Sequence, residues 1–101
     1  MITIDWSDLS LESLAEIVLW YDEQVNPAFA DSVKQQISKQ VQLYTKEPLT
    51  PSSLPNSEFY PGTRKLFVRD FPYVVIIRHV KRERWEVVDV IHTSRKLPKG
   101  Q

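Results

Sequence analysis

Pro48, Pro51, Pro55 and Pro61, set among Ser52, Ser53, Asn56 and Ser57, forbid regular structure across residues 47–61. Proline has no N–H for a helix interior or a central strand to use, and its ring collides with the preceding turn. The stretch is therefore a loop that divides the chain. The spacing of apolar residues changes across it, from a helical period before the loop to an alternating one after it.

On the N-terminal side, Ile2-Thr3-Ile4-Asp5-Trp6 alternates apolar with polar residues, as a strand with one buried face does. Ser7 or Ser10 can cap the helix that follows, with Glu12 and Glu16 toward its positive end. Leu14, Ile17, Val18, Tyr21 and Val25 then recur at helical spacing. Asn26-Pro27 ends this helix and starts the next, since Asn is a good N-cap and Pro at the first helical position gives up no needed N–H. Ala30, Val33, Ile37, Val41 and Tyr44 form the second stripe. A connection this short predicts an antiparallel helix hairpin.

On the C-terminal side, three strands are predicted, over residues 63–69, 73–80 and 84–91. The second is rich in β-branched residues, as a buried central strand should be. The short turns Asp70-Phe71-Pro72 and Lys81-Arg82-Glu83 make the three an antiparallel meander. The result is a single α+β domain over residues 1–101 in the order β-α-α-β-β-β. The helix hairpin packs on one sheet face, and the other face looks outward with many of the Arg and Lys residues.

A chain of 101 residues buries one modest core and favours action through its surface. It has no cysteine, so disulfides and thiolate metal sites are excluded and a reducing compartment fits. No apolar run approaches the roughly 20 residues that span a bilayer. Met1 to Asp8 lacks the basic and apolar regions of a signal peptide. A cytoplasmic location with no membrane contact is expected. No cofactor is expected either: no His, Asp and Glu have metal-ligand spacing, and Ser94 has no base in a nucleophile motif. The net charge of zero is split. Residues 1–50 hold three Lys against eight Asp and Glu, hence −5, and residues 51–101 hold ten cations against five acids, hence +5. Such a split suits a face made for a polyanion or an acidic partner, or two halves that merely solvate their own surfaces.

Four segments in order carry a family resemblance. Leu14, Ile17, Tyr21, Asn26-Pro27 and Ala30 mark the helix hairpin. Pro61-Gly62-Thr63-Arg64-Lys65-Leu66, then Phe71-Pro72-Tyr73-Val74-Val75-Ile76-Ile77-Arg78, and Val90-Ile91-His92-Thr93-Ser94-Arg95-Lys96-Leu97-Pro98 follow. Together they resemble the RelE/ParE superfamily of toxins from type II toxin–antitoxin systems, over nearly the whole chain. The pattern is similar to the ParE-like branch. Val74 stands where the RelE branch commonly has an Arg, and beyond Arg95 there is no terminal Tyr or His. The resemblance implies a toxin that inhibits DNA gyrase by protein–protein contact and is not an enzyme. The alternative is a RelE-like endoribonuclease acting on mRNA at the ribosome, and a second alternative is an inactive member that only binds its antitoxin. The implied antitoxin would have a DNA-binding domain, through which alone the pair touches DNA, and a C-terminal segment that folds on the toxin.

Arg64, Lys65, Arg69, His92, Arg95 and Lys96 are the candidates for gripping the target. Lys65 and Arg69 share strand parity. Were the chain a nuclease, Lys65, Arg69, His92 and Arg95 would supply the cation cluster, with His92 as the near-neutral acid or base. The ordinary alternatives are a solvated strand face for the cations and a packed strand-end histidine for His92. Arg78 in a central strand is either paired with an acid such as Asp89 or Glu86 or part of the functional face. Gly62 supplies a backbone angle that other residues resist. Leu11, Leu19, Trp20 and Trp85 are candidates for antitoxin contact, with ordinary packing as the alternative. The basic C-terminal half would attract an acidic antitoxin tail.

Overall fold

A computed structural model describes residues 3–46, 54–58 and 60–94, with side chains up to Leu43 in the first of these segments. Ile2, the Tyr44 side chain, Pro48, Pro51, Arg95 and Lys96 lie outside the described residues. The elements are β1 (Thr3–Trp6), α1 (Asp8–Gln24), α2 (Pro27–Lys46), β2 (Arg64–Phe67), β3 (Tyr73–Lys81) and β4 (Arg84–His92). They follow the expected α+β order. The sheet runs β1-β4-β3-β2. β2, β3 and β4 form the antiparallel meander, while β1 joins its far edge parallel to β4, Thr3 opposite Arg84 and Trp6 opposite Val87.

Local chemistry sets the helix ends. Ser7, rather than Ser10, is the N-cap of α1: its Oγ accepts from the Ser10 N–H at 3.0 Å. The same Oγ donates to the Val88 carbonyl at 2.7 Å, and the Ser7 N–H donates to the Val87 carbonyl at 3.0 Å. One residue therefore caps α1 and pins it to β4 just past the end of β1. Ser7→Ala should cost about 1–2 kcal/mol, read as a lower urea midpoint with an unchanged slope. A loss under about 0.5 kcal/mol would mean that water replaces both bonds. Val25 falls past the helix and is exposed, so the first stripe ends at Tyr21. Asn26 caps α2 as expected, its Oδ1 accepting from the Phe29 N–H at 2.7 Å.

The main core lies between the helices and one sheet face. Val33, Ile37 and Val41 of α2 and Leu14 of α1 meet Leu66, Val68, Tyr73, Val75, Ile77, Trp85, Val87 and Val90. The opposite face is not the open cationic platform that the sequence suggests. Val74, Ile76 and Ile91 are buried there in a second cluster with Tyr60 and Val88. β3 is thus buried on both faces from Tyr73 to Ile77, which is why it is so rich in β-branched residues. The apolar transfer free energy of that run outweighs any exposed platform at the same positions.

In β4, register passes from Ile77 opposite Val87 to Ile76 opposite Asp89, leaving Val88 as an extra residue. This bulge reverses the alternation, so Val90 joins the helix-side core and Ile91 the outer cluster. Gly62 has φ +73°, as the turn before β2 demands, and Asp70 takes φ 72° in the turn after it.

Candidate target and partner surfaces

Most described cations of the C-terminal half are already engaged. The Lys65 Nζ lies 3.0 Å from Glu58, and the Arg64 Nη1 donates to the Leu54 carbonyl at 2.9 Å. Arg78 meets Glu86 across the strand pair at 2.6 Å, and Arg84 meets Asp5 of β1 at 3.2 Å. The Arg78 acid is therefore Glu86, not Asp89. A backbone hydrogen bond, and then the Lys65 ammonium, holds the Glu58 carboxyl below the usual range. Glu58 sits in the proline-rich loop, where its register opposite β2 cannot be read from spacing.

Lys65 and Arg69 do not form one strand face as their parity suggests. β2 ends at Phe67, and Arg69 stands exposed in the turn beside Asp70. His92 ends β4. Its Nδ1 accepts from the Ser94 N–H at 3.1 Å, with the Ser94 Oγ 2.7 Å away. The ring meets Tyr73 edge-on at 5.5 Å.

Directly opposite residues of an antiparallel pair point to the same side. Lys65 opposes Ile76 of the outer cluster, and His92 opposes Tyr73 of the helix-side core. The two are on opposite faces of the sheet. Among the described residues, the suggested nuclease set is not brought together. Nor does any group of His, Asp and Glu there suit a metal ion, and no helix is long and apolar enough to cross a membrane.

Two concavities flank α1, each of about 420 Å³, within the range of ligand and peptide sites. The first lies between α1 and the end of β4, where Glu16, Ile17 and Trp20 face Tyr73 and His92. Burial, then the Tyr21 hydroxyl 3.5 Å away, pushes the Tyr73 phenol up. The second runs from Leu11 and Ala15 to Leu19 and Asp22, with Lys34 of α2 on its wall. Leu11, Leu19 and Trp20 are 50%, 56% and 53% exposed. Trp85 is not a surface anchor: it is 6% exposed in the helix-side core, with the His79 ring 4.7 Å from it. Its strand parity with Val87 turns it inward.

Beside the first groove, which Ser13 and Val90 line, lies a polar junction that residue spacing does not single out. Buried Asp89 accepts from the Ser13 Oγ at 2.6 Å, the Tyr60 hydroxyl at 2.9 Å and the Val90 N–H at 2.8 Å. The signal was a lone acid inside the run Val87-Val88-Asp89-Val90-Ile91, where an unpartnered carboxylate would be costly.

A family model described as the ParE toxin of type II toxin–antitoxin system, parDE, matches residues 4–97. A chain of the chromosomal ParDE toxin–antitoxin system from P. aeruginosa has a similar fold, with a TM-score of 0.71 and 23% identity, over 93% of this chain and 98% of that one. The isolated E. coli RelE toxin is similar with a TM-score of 0.62 and 13% identity, over 95% of this chain and 88% of that one. No curated protein matches this chain by sequence.

Proposed function

Because the chain belongs to the ParE toxin family of type II toxin–antitoxin systems, we propose that it arrests growth by binding DNA gyrase through protein–protein contact, until a cognate antitoxin covers the exposed side of α1. The observation that carries the choice of mechanism is the separation of the described cations. RNA cleavage needs converging charge around one phosphate and a group that moves protons to and from the 2′-oxygen. Lys65 is neutralised by Glu58 on one face of the sheet, and His92 lies on the other. Val74, where the nuclease branch commonly has an Arg, is buried in the outer apolar cluster. A surface of paired ions and exposed apolar side chains suits contact with another protein better than it suits catalysis.

The antitoxin part is supported by Leu11, Leu19 and Trp20. They stand exposed beside two grooves of a size that an amphipathic segment can fill. Both the toxin and its target would then act in the cytoplasm.

Purified protein is expected to block supercoiling of relaxed plasmid by DNA gyrase and to leave ribosome-bound mRNA intact in a translation extract. Codon-biased cleavage that disappears in His92→Ala or Arg95→Ala would assign the ribonuclease activity instead. Normal growth on induction without antitoxin would leave an inactive member that only binds its partner.

A further inference from the structure

α1 is built against its own electrostatics. It carries Asp8, Glu12, Glu16, Asp22 and Glu23 and no cation. Asp8 suits the positive N-terminal end of the helix, but Asp22 and Glu23 stand in the last turn, where the dipole is negative. Asp8 with Glu12, and Glu12 with Glu16, repel at i,i+4 spacing. Among the described residues, no cation forms an ion pair with any of the five.

At 3.6 residues per turn, Glu12, Glu16 and Glu23 fall on the line farthest from buried Leu14, and all three are exposed. They form a ridge between the two grooves. Leu11, Ala15 and Leu19 lie along one flank, and Trp20 lies on the other. An apolar surface that invites a partner is therefore fringed with negative charge that no ion pair neutralises, Lys34 of α2 being the one cation among the described residues that line the Leu11–Leu19 groove.

We propose that this face receives a cationic amphipathic segment of the antitoxin. Its apolar side chains seat in the Leu11–Leu19 groove, and its Lys or Arg side chains lie over Glu12, Glu16 and Glu23, within reach of the Trp20 ring. The inference rests on reading the chain as an antitoxin-neutralised toxin. It reverses what the whole-chain charge split suggests, an acidic tail drawn to the basic half. Lys65, Arg78 and Arg84 of that half are paired on the strands, and none of them lines either groove.

The test uses the full chain and two synthetic amphipathic helices with the same leucine spacing, one bearing lysines and the other glutamates, followed by tryptophan fluorescence. The lysine peptide is expected to bind at least about tenfold more tightly at low salt. That preference should vanish near 1 M salt, where the screening length falls to roughly 3 Å. In the triple variant E12Q/E16Q/E23Q, whose changes are all exposed, the two peptides should bind within about twofold of each other, with an unchanged far-ultraviolet circular dichroism spectrum. Equal binding, a preference for the glutamate peptide, no binding of either, or a lysine preference that survives the triple variant overturns the proposal. So does a self-associated chain that the triple variant dissociates, which would make a second copy the occupant. The underlying reading fails separately, if the chain expressed alone leaves growth unaffected or if no antitoxin rescues it.

Discussion

Asp89→Ala should lower the unfolding free energy by about 3–5 kcal/mol, a large share of the roughly 5–15 kcal/mol that holds a domain of this kind together. The carboxylate accepts from Ser13 of α1, from Tyr60 of the turn before β2 and from the backbone of its own bulged strand, three donors among the described residues. Hydrogen bonds to a charged group are worth more than neutral ones, and buried donors left without an acceptor carry the full cost of desolvation. Alanine orphans all three at once and leaves a void at a position 2% exposed. Asp89→Asn keeps one carbonyl oxygen and should lose roughly half as much. Urea unfolding followed by tryptophan fluorescence measures both. An Asp89→Ala protein within about 1 kcal/mol of the parent would show that water or rearrangement satisfies the three donors, and that the junction does not hold α1 to the sheet.

The second large effect is on binding. The double variant Leu19→Ala/Trp20→Ala should weaken capture by the antitoxin by about 2–4 kcal/mol, or roughly 30- to 1,000-fold in Kd. Both side chains are more than half exposed, so their loss takes little from the core. Large apolar anchors at the centre of an interface contribute most of its affinity, and Trp is prominent among them. Titration calorimetry against the antitoxin gives the affinity. Growth on co-expression gives the consequence, since the double variant should stay toxic at antitoxin levels that silence the parent. An unchanged Kd would place the antitoxin on another surface and remove α1 from the account of neutralisation.

Several of these features are legible in the order of residues. The hairpin of α1 and α2 follows from Asn26-Pro27 and from the buried stripe Ala30, Val33, Ile37 and Val41. The central place of β3 follows from its β-branched run, and the positive φ of Gly62 from the turn it sits in. The resemblance to ParE-like toxins rests on the same segments. Other features are hidden for identifiable reasons. Nothing near Thr3 announces that it will lie opposite Arg84, because the pairing is long-range and parallel. The bulge at Val88 reverses strand parity with no local mark such as a glycine. Trp85 looks like a partner anchor until its strand is placed, and then it faces the core.

By itself, the sequence determined the order of elements, the Asn26 cap of α2 and that helix's buried stripe from Ala30 to Val41. Those depend on neighbours a few residues apart, and the caps and periods act within that range. Only the tertiary structure decided which charges are neutralised. Glu58 and Lys65 meet because a loop folds back on β2, Arg78 and Glu86 because of strand register, and Arg84 and Asp5 because β1 docks beside β4. An ion pair depends on distance in space, and at physiological salt its influence fades beyond roughly 8 Å. A tally of cations along the chain therefore suggests a basic platform, where among the described residues Lys65, Arg78 and Arg84 are paired and α1 presents an acidic, apolar-flanked face.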